Sequence, residues 1–481
     1  MLNLLHKPYG KTGIDISFNR DIVKALGGDI KVETKEGEGS KFIIELPSFS
    51  LSQCHISKPK YSRREYIYLN TKILIMNKLF FTGIFSLLLL QSTAQTTDVL
   101  TIGKHDSAYS AILHEERQLY VHVPKGAANS TVNTKYAVIY LLDGSAYFSM
   151  VVSMLDMLSI SGVCPNMIVV SIPNTDRMRD FTPTKVVDTT EGPDEAADET
   201  GGGEQFLAFM EKELIPYIDS TYPAAPYRIF GGHSISGLEV VYALLYHPHL
   251  FNAHISLDPS MWWDNGVLVK KAKEVFASED FSKTTFFLNI ANTMPLGLDT
   301  ALVRTDTSGL TEHIRDILLL NDIIHNNPQN GLTYSSKYYI NDNHNSSTVE
   351  GLYDALRFIY NFYTMPGFPQ EEANVTLTSL SNVEKHFQGI SARMGYTINP
   401  PEDLINGLGY NFWSVNKMKE AEIAFNMNIK NYPSSFNVFD SAGDFYVAYK
   451  DNAKAIENYK KALGLANNIA THNKLNALQN R

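Results

Sequence analysis

A serine set among small residues on a turn from strand to helix can serve as a nucleophile, and residues 228–241 have that form. An apolar run at 227–230 leads into Gly231-Gly-His-Ser-Ile-Ser-Gly237, and a helical pattern starts at once. Such a turn is strained and lifts the Ser234 hydroxyl above the sheet edge. Gly232 and Ser236 occupy the positions where the two backbones come close; Ser236 stands where glycine is usual, and Gly237 follows. A serine hydroxyl needs a base within hydrogen-bond reach, and in this arrangement a histidine late in the chain supplies it. His344 is the expected base, because it lies in a polar loop directly after a strand-like run and just before a helix expected over 349–360. His313 and His325 fall inside or beside helical patterns, while His247, His249 and His254 lie near the nucleophile helix or on the next strand; these read as surface or core. The acid that fixes the imidazole tautomer is expected after the strand at 286–290, where Asp299 is nearest. Asp342, Asp306 and Glu312 are alternatives, as is a serine–histidine pair without an acid. The oxyanion is expected to meet the backbone N–H groups of Ile235 and of Ser145, the latter in Asp143-Gly-Ser-Ala-Tyr147, for which a plain β-turn is the alternative.

These residues need a sheet to hold them. Short β-type runs lie at 119–124, 136–142, 167–172, 227–230, 253–257 and 286–290, several of them apolar nearly throughout as strands buried on both faces require, and helical stretches such as 204–218 and 237–246 alternate with them. That alternation predicts an α/β fold with a mainly parallel central sheet. Beyond Pro369 the pattern turns helical and repeats: Gly409-x-x-Phe412 returns as Gly443-x-x-Tyr446 and Ala421-x-x-x-Phe425 as Ala455-x-x-x-Tyr459, each offset by 34 residues. This is the tetratricopeptide period, and Pro433 falls where one repeat would turn into the next. Two such repeats are too few to stand alone, so they are expected to pack on a preceding helix or on the sheet domain; unrelated amphipathic helices are the alternative.

Five segments in order carry a resemblance: Tyr136-Ala-Val-Ile-Tyr-Leu-Leu-Asp-Gly144, Pro173-Asn-Thr-Asp-Arg-Met-Arg-Asp-Phe-Thr-Pro183, Gly232-His-Ser-Ile-Ser-Gly237, Ser256-Leu-Asp-Pro-Ser-Met-Trp-Trp-Asp264 and the His344 loop. Over about 270 residues the chain resembles the putative-esterase (esterase D) family of α/β-hydrolases, and within it the bacterial ferric-siderophore esterases. The resemblance implies hydrolysis of carboxylic esters through an acyl-serine, with no metal or other cofactor. In the siderophore branch, which cleaves catecholate trilactones, Arg177, Arg179, Trp262 and Trp263 would line the pocket mouth. Alternatively Arg179 pairs with Asp180 or Asp143, and the tryptophans are core. Two other functions stay open at this point: an esterase acting on acyl or aromatic esters of carbohydrates, and a non-catalytic binding scaffold whose repeats recruit a protein partner.

The chain has 481 residues, enough for two or three domains, and 44% hydrophobic with 19% charged residues describes a cored globular protein. A net charge of -10 without a basic run gives no footprint for a nucleic-acid partner. Cys54 and Cys164 alone exclude a disulfide scaffold or a cysteine-based zinc cluster. Residues 76–94 read as a signal peptide: Met76, Lys78, an apolar run at 79–90 too short for a stable membrane span, then Ser92 and Ala94. A periplasmic or secreted protein follows from that reading. A signal peptide belongs at a chain start, so residues 1–75 are expected to be foreign to it. Thr12-Gly-Ile-Asp-Ile-Ser17, Ile22-Val-Lys-Ala-Leu-Gly-Gly28 and Glu38-Gly-Ser-Lys-Phe-Ile-Ile-Glu-Leu-Pro47 resemble the tail of a histidine-kinase ATP-binding domain, with Asp15 in place of a phosphate-loop glycine and no nucleotide binding expected. The expected organisation is a kinase-like fragment (1–48), a linker (49–75), the signal peptide (76–94), an esterase domain (95–365) and helical repeats (366–481).

Overall fold

The computed structural model describes residues 29–35, 39–45, 101–124, 134–186, 200–365 and 376–480. The chain divides into two compact units, residues 1–99 and 100–481. In the first, β1 (Asp29–Lys35) and β2 (Gly39–Glu45) pair as an antiparallel ribbon. The expected signal peptide and linker lie outside the described residues.

The second unit is built on an eight-stranded sheet. Its strands are β3 (Lys104–Ser110), β4 (Glu115–His122), β5 (Tyr136–Leu141), β6 (Met167–Ser171), β7 (Ala224–His233), β8 (Ala253–Leu257), β9 (Thr285–Ala291) and β10 (Thr333–Tyr339), in the spatial order β10-β9-β8-β7-β5-β6-β4-β3. All neighbours from β10 to β6 run parallel, and β4 and β3 complete the sheet antiparallel. The fold is thus the mainly parallel α/β sheet expected. The central strands β6 and β8 are buried at every residue, as strands covered on both faces must be, whereas the edge strands β3 and β10 are largely accessible and polar.

Successive residues of one strand feed opposite layers. Val138 and Tyr140 point into the core shared with the helices Gly203–Phe209, Ile215–Thr221, Ile235–Tyr246, Trp263–Ser278 and Glu312–His325; Ala137 and Ile139 point into the core beneath Gly144–Ile160 and Ser347–Ile359. That second core continues without a break into the C-terminal helices, through Leu380, Phe387, Ile405 and Phe445. Tyr363 meets Phe387 edge to face at 6.2 Å, the His386 ring bonds the Tyr363 carbonyl at 2.8 Å, and half-buried Tyr396 packs against the same core. Here the helices Glu402–Ser414 with Met418–Asn431, and Phe436–Ala448 with Asn452–Leu465, form two successive pairs. Gly409 leaves room for the Phe425 ring and Gly443 for the Tyr459 ring: a Cβ would come within 2.8 and 2.4 Å of them. The same small-against-aromatic contact therefore recurs at the spacing of 34 residues read in the sequence.

Candidate active site

β7 ends at His233, and the helix Ile235–Tyr246 begins two residues later, so Ser234 alone makes the turn. Its φ of 63° and ψ of -119° lie in a region that residues bearing a Cβ rarely adopt, the strain expected of a nucleophile elbow. A Cβ on Gly232 would sit 2.4 Å from the Ser236 carbonyl oxygen, which is why strand and helix can meet here only through glycine. Ser236 is more than a tolerated substitute. Its hydroxyl accepts from the His233 N–H at 2.8 Å and reaches Asp143 Oδ2 at 2.6 Å and the His233 carbonyl at 2.9 Å. The side chain a glycine would lack thus clamps the elbow to the loop after β5.

The Ser234 hydroxyl lies 3.2 Å from Ser260 Oγ, and the Ser260 N–H donates to the Ser234 carbonyl at 3.0 Å. The turn after β8 is thereby laid against Ser234. That turn also carries Asp258, which is fully buried and has a φ of 44°. Its Oδ2 accepts from His344 Nδ1 at 2.6 Å and from His313 Nε2 at 2.9 Å; its Oδ1 accepts from the Ala291 N–H at 2.8 Å. Burial alone would raise the carboxyl pKa, but these donors hold it down at about 2, so Asp258 is an anion at any working pH. A carboxylate bound to Nδ1–H leaves the lone pair on Nε2, the nitrogen that must take the serine proton.

The expected acid was Asp299, and the structure places it elsewhere. It is exposed and caps the helix Thr300–Val303, accepting from the Ala301 and Leu302 N–H groups. Of the alternatives, Asp342 bonds Ser346, and Asp306 bonds Ser308 and Thr311. The acid on His344 comes from the end of β8 rather than β9. Because β8 and β9 are neighbours, their ends lie side by side, and either can reach the histidine loop. A signal was present in the sequence: Asp258 directly follows the apolar run at 253–257, at the carboxyl end of a buried strand, where ligands and catalytic groups of such sheets gather.

His233, the residue before Ser234, is packed against His344. Its ring centroid is 4.4 Å from that of His344, and its Nε2 lies 2.8 Å from the His344 carbonyl. A carbonyl only accepts, so Nε2 carries the proton and Nδ1 accepts from the Tyr147 hydroxyl at 2.9 Å. Burial first, then the nearby His344, lowers the His233 pKa to about 4, and burial lowers that of His254 to about 3. Both are neutral in the fold but protonate near pH 6.5 when unfolded, so the stability they contribute is present above about pH 6.5 and is lost as pH falls toward 4. His233→Gln should therefore lose less stability than the parent between pH 7 and pH 5, measured as the midpoint of urea unfolding; an equal loss would count against a neutral His233.

The two expected oxyanion donors both sit at helix starts. Ile235 opens Ile235–Tyr246, and Ser145 is second in Gly144–Ile160, behind Asp143 in the left-handed region. First-turn N–H groups have no acceptor within their own helix, so both are available by position. The arginines expected at the pocket mouth are engaged internally. Arg177 holds Asp143 through Nε at 2.7 Å and Nη2 at 3.0 Å and reaches the His233 carbonyl at 3.1 Å; Arg179 pairs with Glu115 and Asp180. The tryptophans part company: Trp263 is buried and donates from Nε1 to Thr184 at 3.1 Å, while Trp262 is 37% exposed two residues beyond Ser260.

Comparison with known proteins agrees with this architecture. The sequence model of the family described as "Putative esterase" matches residues 110–287. The ferri-bacillibactin esterase of Bacillus subtilis is 32% identical over 193 residues, 37% of this chain and 65% of the relative. The siderophore enterobactin esterase of Emericella nidulans is 28% identical over 152 residues, 28% of this chain and 50% of the relative. The chain thus spans between half and two thirds of these curated relatives. An IroE-like serine hydrolase from Shewanella oneidensis superposes with a TM-score of 0.55 at 28% identity, covering 68% of this chain and 98% of that one.

Proposed function

We propose that the chain is a serine hydrolase that cleaves carboxylic esters, with Ser234 as nucleophile, His344 as base and Asp258 as the acid behind it. The observation that carries this reading is the joining of a strained Ser234 to a His344–Asp258 pair of 2.6 Å through the Ser260 turn. Ser234 Oγ attacks the ester carbonyl carbon while its proton passes to His344 Nε2. The N–H groups of Ile235 and Ser145 hold the oxyanion, and collapse of the tetrahedral intermediate expels the alcohol, which takes the proton from His344. Water activated by the same histidine then releases the acid and frees the serine.

For the substrate class we propose siderophore esters, a reading supported by the names of the relatives, with exposed Trp262 as an aromatic wall at the mouth. We read 95–365 as the catalytic part and 366–481 as tetratricopeptide-like repeats, and we read 76–94 as an export signal behind an unrelated kinase-like segment. Among the described residues no helix is long and apolar enough to cross a membrane.

The test is intact mass after exposure to a fluorophosphonate. One adduct on the Ser234 peptide is expected, absent from Ser234→Ala and strongly slowed in His344→Ala. Ester turnover by Ser234→Ala should fall at least about 1,000-fold. An adduct elsewhere, or turnover that survives the substitution, would overturn the assignment of the nucleophile.

A further inference from the structure

The mechanism above uses one of the two histidines on Asp258 and leaves the other without a role. His313 stands in the first turn of Glu312–His325, and its ring lies nearly perpendicular to that of His344, with centroids 5.1 Å apart. Asp258 Oδ2, His344 Nδ1 and His313 Nε2 converge: the ligating atoms of the three residues all lie within 4.8 Å of one another. Two imidazoles and a carboxylate are the donor set of a borderline divalent ion such as zinc. Zinc–ligand bonds near 2.1 Å in a tetrahedron put ligand atoms about 3.4 Å apart. The two Asp258–histidine separations, 2.6 and 2.9 Å, need open by less than about 1 Å to admit the ion. The side chains of His344 and His313 are 32% and 23% exposed, so solvent reaches both residues that flank Asp258. The bond from Ala291 to the other carboxylate oxygen keeps Asp258 aimed at the site.

We propose that Asp258, His313 and His344 form an inhibitory site for zinc or a similar divalent transition-metal ion. The inhibition rests on the role given to His344 above; the binding does not. In the metal-free protein His344 carries its proton on Nδ1 and offers the Nε2 lone pair to Ser234. An ion on Nδ1 takes the place of that proton, and the neutral ring then carries its hydrogen on Nε2. That nitrogen no longer accepts the serine proton, so hydrolysis stops with the nucleophile intact. On His313 the ion takes Nε2, and the proton moves to Nδ1. Both rings stay neutral, and the protons are relocated through water with none gained or lost.

The experiment uses untagged protein in a non-chelating buffer, with zinc for inhibition and cobalt(II) as a visible-absorption probe of coordination. The parent should be inhibited reversibly by zinc, with full recovery on adding EDTA, and should give a cobalt band typical of low coordination number. Loss of a partner outside the coordination sphere already weakens metal sites 10- to 100-fold, so His313→Gln should raise the zinc needed for half-inhibition of its own rate by at least about 100-fold. Equal zinc sensitivity in parent and His313→Gln would overturn the proposal, as would a cobalt spectrum unchanged from the free ion. Cobalt binding is also measured on Ser234→Ala, which has no turnover to inhibit. Binding there alongside a parent that hydrolyses no ester would sink the esterase reading and keep the metal site; turnover without binding would do the reverse. Should His313→Gln fail to fold, cobalt titration of the parent and of His344→Gln decides, since losing the second imidazole should also abolish the band.

Discussion

Asp258→Asn should lower kcat by about 10,000-fold while leaving KM nearly unchanged. The carboxylate lies behind the proposed base, accepting from His344 Nδ1 at 2.6 Å from a fully buried position. An asparagine there keeps the shape but can turn its NH2 toward the ring. It then favours the tautomer with its proton on Nε2, which cannot accept from Ser234. A loss confined to kcat is the mark of an interaction made only in the transition state. Asp299→Asn is the paired measurement, because sequence order favours Asp299 and geometry favours Asp258. Its carboxylate is exposed and occupied with two helix N–H groups, so kcat should not change. A large loss at 299 and none at 258 would return the acid to the end of β9.

The second large effect is on stability. Asp143→Ala should destabilise the protein by about 3 kcal/mol, the lower end of the range for breaking a buried charge pair, because Arg177 keeps 33% of its side chain in water. The carboxylate of Asp143 accepts from Arg177 twice and from Asn174 and Ser236, and it does so from a backbone with φ of 54°. Burial would raise its pKa, but Arg177, Ser236 and Asn174 more than offset this and lower it. The stability it contributes is therefore present above the ordinary aspartate range and lost as pH falls through the lowered value. Asp143→Asn, which keeps an acceptor and tolerates the left-handed backbone, should lose less than the alanine variant. Urea unfolding at pH 7 compares the two; a negligible loss in the alanine variant would mean that the side-chain bonds of Asp143 contribute little.

What the sequence revealed, and where it failed, follows burial. The strands at 167–171 and 253–257 are buried at every residue and mostly apolar because both faces are covered, and they were legible for that reason. β3, Lys104-His-Asp-Ser-Ala-Tyr-Ser110, was not: it is an edge strand whose outer side faces water, so no apolar run marks it. Ser234 could be read because its turn needs a local pattern of small residues. Asp258 could not be chosen over Asp299 because the bond to His344 joins residues 86 apart, and chain order says only that some strand end must supply the acid. The arginines stayed open for a related reason. Arg177 and Arg179 lie in a short helix near the site; the pairing of Arg179 with Asp180 could be weighed from their adjacency, but the hold of Asp143 on Arg177 and of Glu115 on Arg179 joins residues far apart in the chain.

The unbroken apolar layer from Ala137 and Val169 through Tyr360 to Phe387, Ile405 and Phe445 bears on how such a chain could arise. A hydrolase gaining these helices by gene fusion would have had to trade a wetted outer surface for an oily one in the same lineage. Once made, that trade ties the two halves together: drift in Phe387 or Tyr396 is judged against residues more than 200 positions earlier in the chain. Physically, the helical end shares one core with the sheet and is no detachable cassette.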